Sequence, residues 1–222
     1  MQYFLLIIAV GVGYFIGQSI PKQQKYLSRI MAFSGAFLLS LTVLEILPEV
    51  YHADTDLPIG IYILAGVLLQ LILELFSQGA EHGHIHSKNS SDKFPWLLFI
   101  GLSIHSFLEG LPITENNHLL YGILIHKIPE ATMLTLFFIH TKQSLLNTLL
   151  CLAIFAFMTP LGVYLSSYNI WVNSYQTQIY AIVVGVFLHL STTLLFESNK
   201  NHHFNISKIL FILIGFILAY LL

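Results

Sequence analysis

The chain has 222 residues, of which 56% are hydrophobic and 9% are charged, and its formal net charge at pH 7 is −2. A soluble domain of this size carries about 25% charged residues, so the composition excludes an ordinary soluble globular protein. The small net charge also gives no basis for nucleic-acid binding. Because the apolar residues fall into long blocks close to the ~20 residues that cross a bilayer, the sequence predicts an integral membrane protein surrounded by lipid.

Polar segments divide the apolar residues into eight blocks, and each block predicts one transmembrane helix. The eight predicted spans are 3–20, 28–50, 58–78, 94–113, 118–140, 145–167, 177–197 and 207–222. The connections are short apart from 79–93, so residues 1–222 are predicted to form a single transmembrane domain. The predicted fold class is therefore an all-α polytopic membrane protein.

The basic residues predict how the spans are oriented. Eight of the nine Lys and Arg residues fall on one side of the eight-span arrangement, and these are Lys22, Lys25, Arg29, Lys88, Lys93, Lys142, Lys200 and Lys208. The loops on the other side contain no Lys or Arg. Since cytoplasmic loops are enriched in these residues, we expect both termini to be external and segment 79–93 to be cytoplasmic. The expected location is the plasma membrane.

A short internal repeat relates the second and seventh spans. Residues 35–38 (GAFL) match residues 185–188 (GVFL), and Thr42 and Thr192 follow at the same offset. The two spans run in opposite directions, as inverted repeats require. Four residues in apolar sequence also match by chance. If the repeat is real, spans 1–3 and 6–8 flank spans 4 and 5 in a 3+2+3 inverted-repeat bundle.

Ionisable residues are concentrated in the two central spans. Span 4 contains His105 and Glu109, and span 5 contains His126 and Glu130. In each span the four-residue spacing puts both side chains on one helical face. Imidazole nitrogen and carboxylate oxygen are ordinary zinc ligands. Because a charged residue in mid-span costs about 2.5–3.5 kcal/mol on insertion scales, such residues mark function.

The four residues are also expected at one depth in the membrane. Spans 4 and 5 run in opposite directions, and the helical rise places all four within about one turn of the midplane. Pro112 and Pro129 adjoin the two motifs and predict local kinks. The alternative is a set of structural His–Glu hydrogen bonds between packed helices. The duplication of the motif at matched depth favours a metal site.

These motifs resemble those of the ZIP (Zrt-, Irt-like protein) family of zinc and iron transporters. The stretches HSFLEG at 105–110 and HKIPE at 126–130 carry the resemblance. The end of span 2 (LEILPE, 44–49), the TPLG stretch at 159–162 and the histidine-bearing segment 79–93 are further similarities. The resemblance extends over nearly the whole chain, and it implies eight spans, external termini and divalent metal transport into the cytoplasm.

The resemblance implies that His105, Glu109, His126 and Glu130 hold the transported ion. The ion is then a substrate, and no prosthetic group is expected. Imidazole with carboxylate suits Zn²⁺ first and also Fe²⁺, Mn²⁺ or Cd²⁺, whereas the lack of cysteine at the site argues against a Cu(I) carrier.

The chain departs from the two-metal pattern of the family at three positions. Ser106, Lys127 and Thr159 stand where two-metal members are expected to have Asn or Asp after each motif histidine and an acidic residue in span 6. Serine and threonine are poor ligands here, and lysine puts an ammonium group where a second cation would lie. We therefore expect a single metal, with Lys127 as the counter-charge at the second-metal position.

Two further groups are candidates for metal access or exit. Glu45 and Glu49 at the outer end of span 2 predict an acidic mouth that attracts cations, although ordinary solvated charge explains them equally well. His82, His84 and His86 alternate in the predicted cytoplasmic loop, and such tracts bind metal by composition alone. The alternative for this loop is a flexible segment with no selected role.

His189 in span 7 and Glu74 in span 3 are two more polar residues in apolar sequence. Neither has an obvious partner in the sequence, and we expect neither to be a metal ligand.

Two other functions use the same four residues. An intramembrane zinc hydrolase needs three ligands and a water nucleophile, and a non-transporting sensor needs only the binding site. Lys127 and the kinked helices fit an ion path better than a fixed catalytic metal. We therefore expect a transporter and not an enzyme, and a homodimer is compatible with that function.

Overall fold

The computed structural model describes residues 1–19, 24–53, 58–77, 96–113, 119–197 and 206–222. In these ranges the regular structure is helical, with no strand. The α-helices are α1 (Gln2–Ser19), α2 (Gln24–Leu41), α3 (Leu47–His52), α4 (Ile59–Ser77), α5 (Trp96–Gly110), α6 (Leu119–His140), α7 (Leu145–Tyr168), α8 (Ile170–Ser174), α9 (Gln176–Glu197) and α10 (Ile206–Leu221). The all-helical fold class predicted from the sequence is confirmed for this part of the chain.

Five helical segments in the described part are long and apolar enough to cross a membrane by length and composition. They are Gln2–Ser19, Ser28–His52, Leu119–His140, Leu145–Tyr168 and Gln176–Phe196. Three shorter apolar helices, Ile59–Leu75, Trp96–Gly110 and Ile206–Leu221, lie in the other predicted spans. Each predicted span therefore contains a helix, and five of these reach full spanning length.

A π-helical turn at Thr42–Ile46 joins α2 to α3. Pro48 follows it in the first turn of α3. A proline has no N–H and crowds the carbonyl four residues earlier, which here belongs to Leu44. The wider π turn accommodates this crowding without ending the span. Glu45 lies on this turn, so its side chain leaves the helix at a position that a regular α-helical repeat does not give.

The helices pack in four main pairs, which are α1 with α6, α2 with α10, α4 with α9, and α5 with α7. The α5–α7 pair depends on Gly110 and Gly162, because a Cβ atom on either would overlap the backbone of the other helix. Gly66 and Gly185 allow the same close approach of α4 to α9. Small residues let membrane helices approach at backbone distance, which fixes their relative position.

The two helices that carry the histidine–glutamate motifs lie inside this arrangement. Helix α6 is the most buried of the five long segments, and it packs against α1, α2 and α7. Helix α5 packs against α7 and α4. Helix α6 is continuous through Pro129. The motif residues are therefore held between other helices rather than on the outer surface of the bundle.

Candidate metal centre

The structure brings His105, Glu109, His126 and Glu130 into one cluster. One ligand atom from each lies within 4.8 Å of the others. The relative exposures of the four residues are 1%, 0%, 2% and 7%, so the cluster is closed off by protein. Helix α5 supplies the first pair and α6 the second, and each pair shares a face because its members are four residues apart.

Glu109 lies at the centre of the cluster. Its Oε1 is 3.0 Å from Nε2 of His105 and 3.1 Å from Nε2 of His126. Its Oε2 accepts a hydrogen bond from the Lys127 ammonium group. One carboxylate thus faces both imidazole rings with one oxygen and a cation with the other.

Three buried ligand atoms of this cluster lack an aligned hydrogen bond in the described part of the chain. They are Nε2 of His126, Oε1 of Glu109 and Oε1 of Glu130. Buried polar atoms in native proteins nearly always have partners, so a convergent group without them needs an explanation. Structural His–Glu hydrogen bonds would be aligned, whereas Oε1 of Glu109 faces both Nε2 atoms at 3.0 and 3.1 Å without such alignment. A bound cation that accepts their lone pairs explains them better, and the donor set is that of zinc.

Lys127 is completely buried beside the cluster. Its Nζ donates to Oε2 of Glu109 and to Oε2 of Glu130, the latter at 2.8 Å. The same ammonium group lies 4.5 Å from the centroid of the Phe155 ring, within the range of a cation–π interaction. With neutral histidines, two carboxylates and one ammonium leave the cluster with a net charge of −1. A divalent cation would change this to +1.

Ser106 and Thr159 bond to each other rather than pointing into an open site. Their hydroxyl oxygens are 3.0 Å apart, and Thr159 Oγ1 donates to the backbone oxygen of Ser106 at 2.9 Å. These bonds tie α5 to α7 at the point where Gly110 and Gly162 allow close approach. At the three positions that depart from the two-metal pattern, the chain therefore has one ammonium group and two hydroxyl groups, and all three groups are hydrogen-bonded within the protein.

Two features next to the cluster have no clear signal in the sequence. Ser34 on α2 places its Oγ 2.7 Å from Nδ1 of His126. A cavity of about 30 Å³ adjoins His105, His126 and Glu130, and its other walls are apolar side chains. Serine is common in membrane helices, and nothing in the sequence selects Ser34 from the others.

The candidates for metal access or exit lie elsewhere. Glu45 is on the π turn and Glu49 is on α3, and neither belongs to the group of potential metal ligands found among the described residues. His82, His84 and His86 lie outside the described residues. The roles of all five therefore stay predictions.

His189 and Glu74, for which the sequence offered no obvious partner, are partners of each other. Nε2 of His189 on α9 lies 2.7 Å from Oε2 of Glu74 on α4, with side-chain exposures of 18% and 21%. The two residues are 115 positions apart in sequence. The pair therefore connects two packed helices inside the membrane-spanning part of the chain, which is the usual way to accommodate ionisable groups there.

We expect Glu74→Gln and His189→Gln each to lower the free energy of unfolding by about 1–3 kcal/mol, because each leaves a polar partner in apolar surroundings. The double variant should lose less than the sum, with a coupling of about 1 kcal/mol. Unfolding of the detergent-solubilised protein measures both quantities, and zinc affinity should not change. Strictly additive losses would show that the pair contributes no coupling energy.

The family model described as ZIP zinc transporter matches residues 77–222, which is more than half of the chain and includes α5 to α10. The chain belongs to the ZIP zinc transporter family. The matched residues contain the whole histidine–glutamate cluster and Lys127, whereas Ser34, Glu45 and Glu49 precede them.

A curated member of the ZIP family is similar over most of its length. Zinc transporter ZIP1 of Danio rerio is 26% identical over an alignment 252 positions long, which covers 86% of this chain and 82% of that protein. Family membership together with the long apolar helices makes this chain a multi-pass membrane protein.

Proposed function

We propose that this protein transports zinc ions across the plasma membrane toward the cytoplasm, through a single site formed by His105, Glu109, His126 and Glu130. Membership of the ZIP zinc transporter family supports zinc transport, and the Danio rerio relative is itself named a zinc transporter. The observation that carries the proposal is the convergence of four buried ligand atoms, one from each residue, within 4.8 Å.

The residues next to the cluster support the binding of one zinc ion rather than two. The Lys127 ammonium group bridges Glu109 and Glu130, and Ser106 and Thr159 satisfy each other. A second cation would have to replace the ammonium group and would find only neutral hydroxyls beside it. Lys127 is then the counter-charge that neutralises part of the carboxylate charge before zinc binds.

An eight-span bundle with a 3+2+3 inverted repeat is part of the same proposal. Helices α1, α2 and α4 lie in spans 1–3, α5 and α6 in spans 4 and 5, and α7, α9 and α10 in spans 6–8. The repeat exchanges spans 1–3 with spans 6–8 and span 4 with span 5, so it converts the contact between α1 and α6 into the contact between α7 and α5. The same exchange converts the α4–α9 contact into α10–α2. All four are the main helix pairs of the bundle, which supports the repeat.

The direction of transport is supported by the cavity and by the basic residues. Leu98, Leu102, Phe137 and Leu194 line the cavity next to the cluster. These residues lie toward the ends of their helices that the Lys and Arg distribution predicts to be cytoplasmic. A zinc ion leaving the cluster on this side would move toward the cytoplasm and, we infer, past the His82–His86 loop. Glu45 and Glu49 at the other end of span 2 would attract cations from outside.

The two competing functions fit the arrangement less well. A catalytic zinc needs three fixed ligands and room for a water and a lipid or peptide substrate. Here the cavity is about 30 Å³ and a lysine bonds to two of the four candidate ligands. A sensor would need the site but no path across the bundle. All four ligands come from one chain, so a homodimer is compatible with transport without being required for it.

Zinc flux into proteoliposomes tests the proposal directly. We expect a zinc-sensitive dye inside the vesicles to report uptake with the wild-type protein. Uptake should be lost with His105→Ala and with Glu130→Ala because each removes a ligand. His140→Ala, at the end of α6, is the matched histidine control and should keep its flux. Intact zinc binding without any flux would contradict transport and favour the sensor, and zinc-dependent release of a lipid fragment would favour the hydrolase.

A further inference from the structure

Ser34 makes a buried contact with one of the candidate ligands from a different helix. Its Oγ on α2 lies 2.7 Å from Nδ1 of His126 on α6, and the two residues are 92 positions apart. Ser34 is 0% exposed and His126 is 2% exposed, so water does not compete for this hydrogen bond. The distance is short for a contact of this kind, and it fixes the orientation of the imidazole ring.

The two ring nitrogens of His126 have different neighbours. Nδ1 bonds to Ser34, whereas Nε2 lies 3.1 Å from Oε1 of Glu109 without an aligned hydrogen bond in the described part of the chain. A neutral imidazole has one protonated nitrogen and one with a free lone pair, and only the latter binds a metal. The hydrogen bond made by one nitrogen decides which form is present.

We propose that Ser34 is a positioning residue that holds His126 in the tautomer with the proton on Nδ1, so that the Nε2 lone pair points at the zinc ion. This inference rests on the proposed transport function, because it assigns a role to Ser34 only if the cluster binds zinc. In the zinc-bound state the Ser34 hydroxyl oxygen accepts a hydrogen bond from the Nδ1–H group of His126. Histidine ligands of metals generally have such a partner on the other nitrogen, and it orients the ring.

A hydroxyl group suits a transport site because it both donates and accepts. When zinc leaves, the ring can adopt the other tautomer, with the proton on Nε2 facing Glu109, and Ser34 then donates to Nδ1. The ring keeps one proton throughout. On zinc binding the ring gives up the Nε2 proton and gains one at Nδ1, both exchanged with water that enters the cavity beside His126, and the Ser34 hydroxyl turns from donor to acceptor. A backbone carbonyl accepts only, and it would hold one tautomer in both states.

The inference is tested by zinc titration of the detergent-solubilised protein, with the free zinc concentration buffered. We expect Ser34→Ala to weaken zinc binding by about 10–100-fold, as other changes to the partners of metal-bound histidines do. Ser34→Thr keeps a hydroxyl and should restore most of the affinity. Ser40→Ala is the matched control, because Ser40 lies on the same helix but bonds to the backbone oxygen of Ala36.

Nuclear magnetic resonance of the zinc-loaded wild-type protein gives a second readout that needs no change at position 34. With ¹⁵N-labelled histidine, we expect a hydrogen-bonded Nδ1–H signal that disappears in His126→Gln. The Ser34→Ala variant should lose the downfield shift of this signal while it still binds zinc at high concentration.

The outcomes separate this inference from the proposed function. If the wild-type protein binds zinc and Ser34→Ala binds it equally well, the role of Ser34 is wrong while the zinc site stands. Equal losses in Ser34→Thr and Ser34→Ala, with no Nδ1–H signal in the wild type, would also overturn it. A wild-type protein that binds no zinc would overturn the proposed site and this inference together.

Discussion

Glu109→Gln is expected to reduce zinc affinity by at least about 100-fold and to abolish zinc flux. Changes to residues that only support metal ligands cost up to about that factor, so the loss of a central ligand should cost more. Glu109 contacts both histidines through one oxygen and Lys127 through the other. Glutamine keeps the shape but removes the charge, and its amide group would place donors against the ammonium group or the imidazole N–H groups. Zinc titration and dye uptake by proteoliposomes measure the two effects.

Glu74→Gln is the control for this substitution. It also removes a carboxylate from a membrane-spanning helix, but its partner is His189 on α9 rather than a member of the cluster. Its zinc affinity should equal that of the wild type. Wild-type affinity in Glu109→Gln would contradict the placement of this residue among the ligands. A similar loss in both variants would mean that the effect comes from general destabilisation of the bundle.

The sequence predicted the helices well because their signal is local. Apolar blocks near spanning length mark the long helices, and each predicted span overlaps a helix found in the described part of the chain. The π turn at Thr42–Ile46 was not predicted, because Pro48 indicates a disturbed helix without specifying how the backbone adapts. The short helix α8 was also missed, since its five residues lie in the connection between two predicted spans and are too few to show a helical period.

The candidate site shows the same difference between local and distant signals. The sequence predicted that His105, Glu109, His126 and Glu130 would lie close together, because their spacing fixes a helical face and their positions fix a depth. The structure places them together, and zinc ligation itself stays a prediction. The Ser34–His126 and His189–Glu74 contacts join residues 92 and 115 positions apart. Such contacts depend on how helices are arranged, which no single helix encodes.

The effect of Lys127→Met should depend on whether zinc is bound. Without zinc, the variant leaves Glu109 and Glu130 as buried carboxylates without their ammonium partner, and breaking a buried ion pair costs about 3–5 kcal/mol. Zinc supplies positive charge at the same oxygens, so the zinc-bound variant should lose much less stability. By linkage, zinc must then bind more tightly to Lys127→Met than to the wild type, because it no longer competes with the ammonium group.

Thermal unfolding with and without zinc checks this expectation, together with a zinc titration. The zinc-free melting temperature should fall, the rise on adding zinc should be larger than in the wild type, and the stoichiometry should remain one zinc per chain. Lys208→Met is the matched control, because Lys208 is also a buried lysine in an apolar helix, with a hydrogen bond to the backbone oxygen of Leu195. It should lower the melting temperature by the same amount in both states.

The flux of Lys127→Met distinguishes a carrier from a site that only holds zinc. A transported ion must leave the site. As the zinc ion leaves, the Lys127 ammonium group can form its hydrogen bonds to both carboxylates again. We therefore expect this variant to bind zinc more tightly yet release it more slowly, so that uptake at saturating zinc falls while uptake at limiting zinc falls less. Unchanged affinity, stoichiometry and flux would show that Lys127 has no part in zinc exchange and merely fills space beside Phe155.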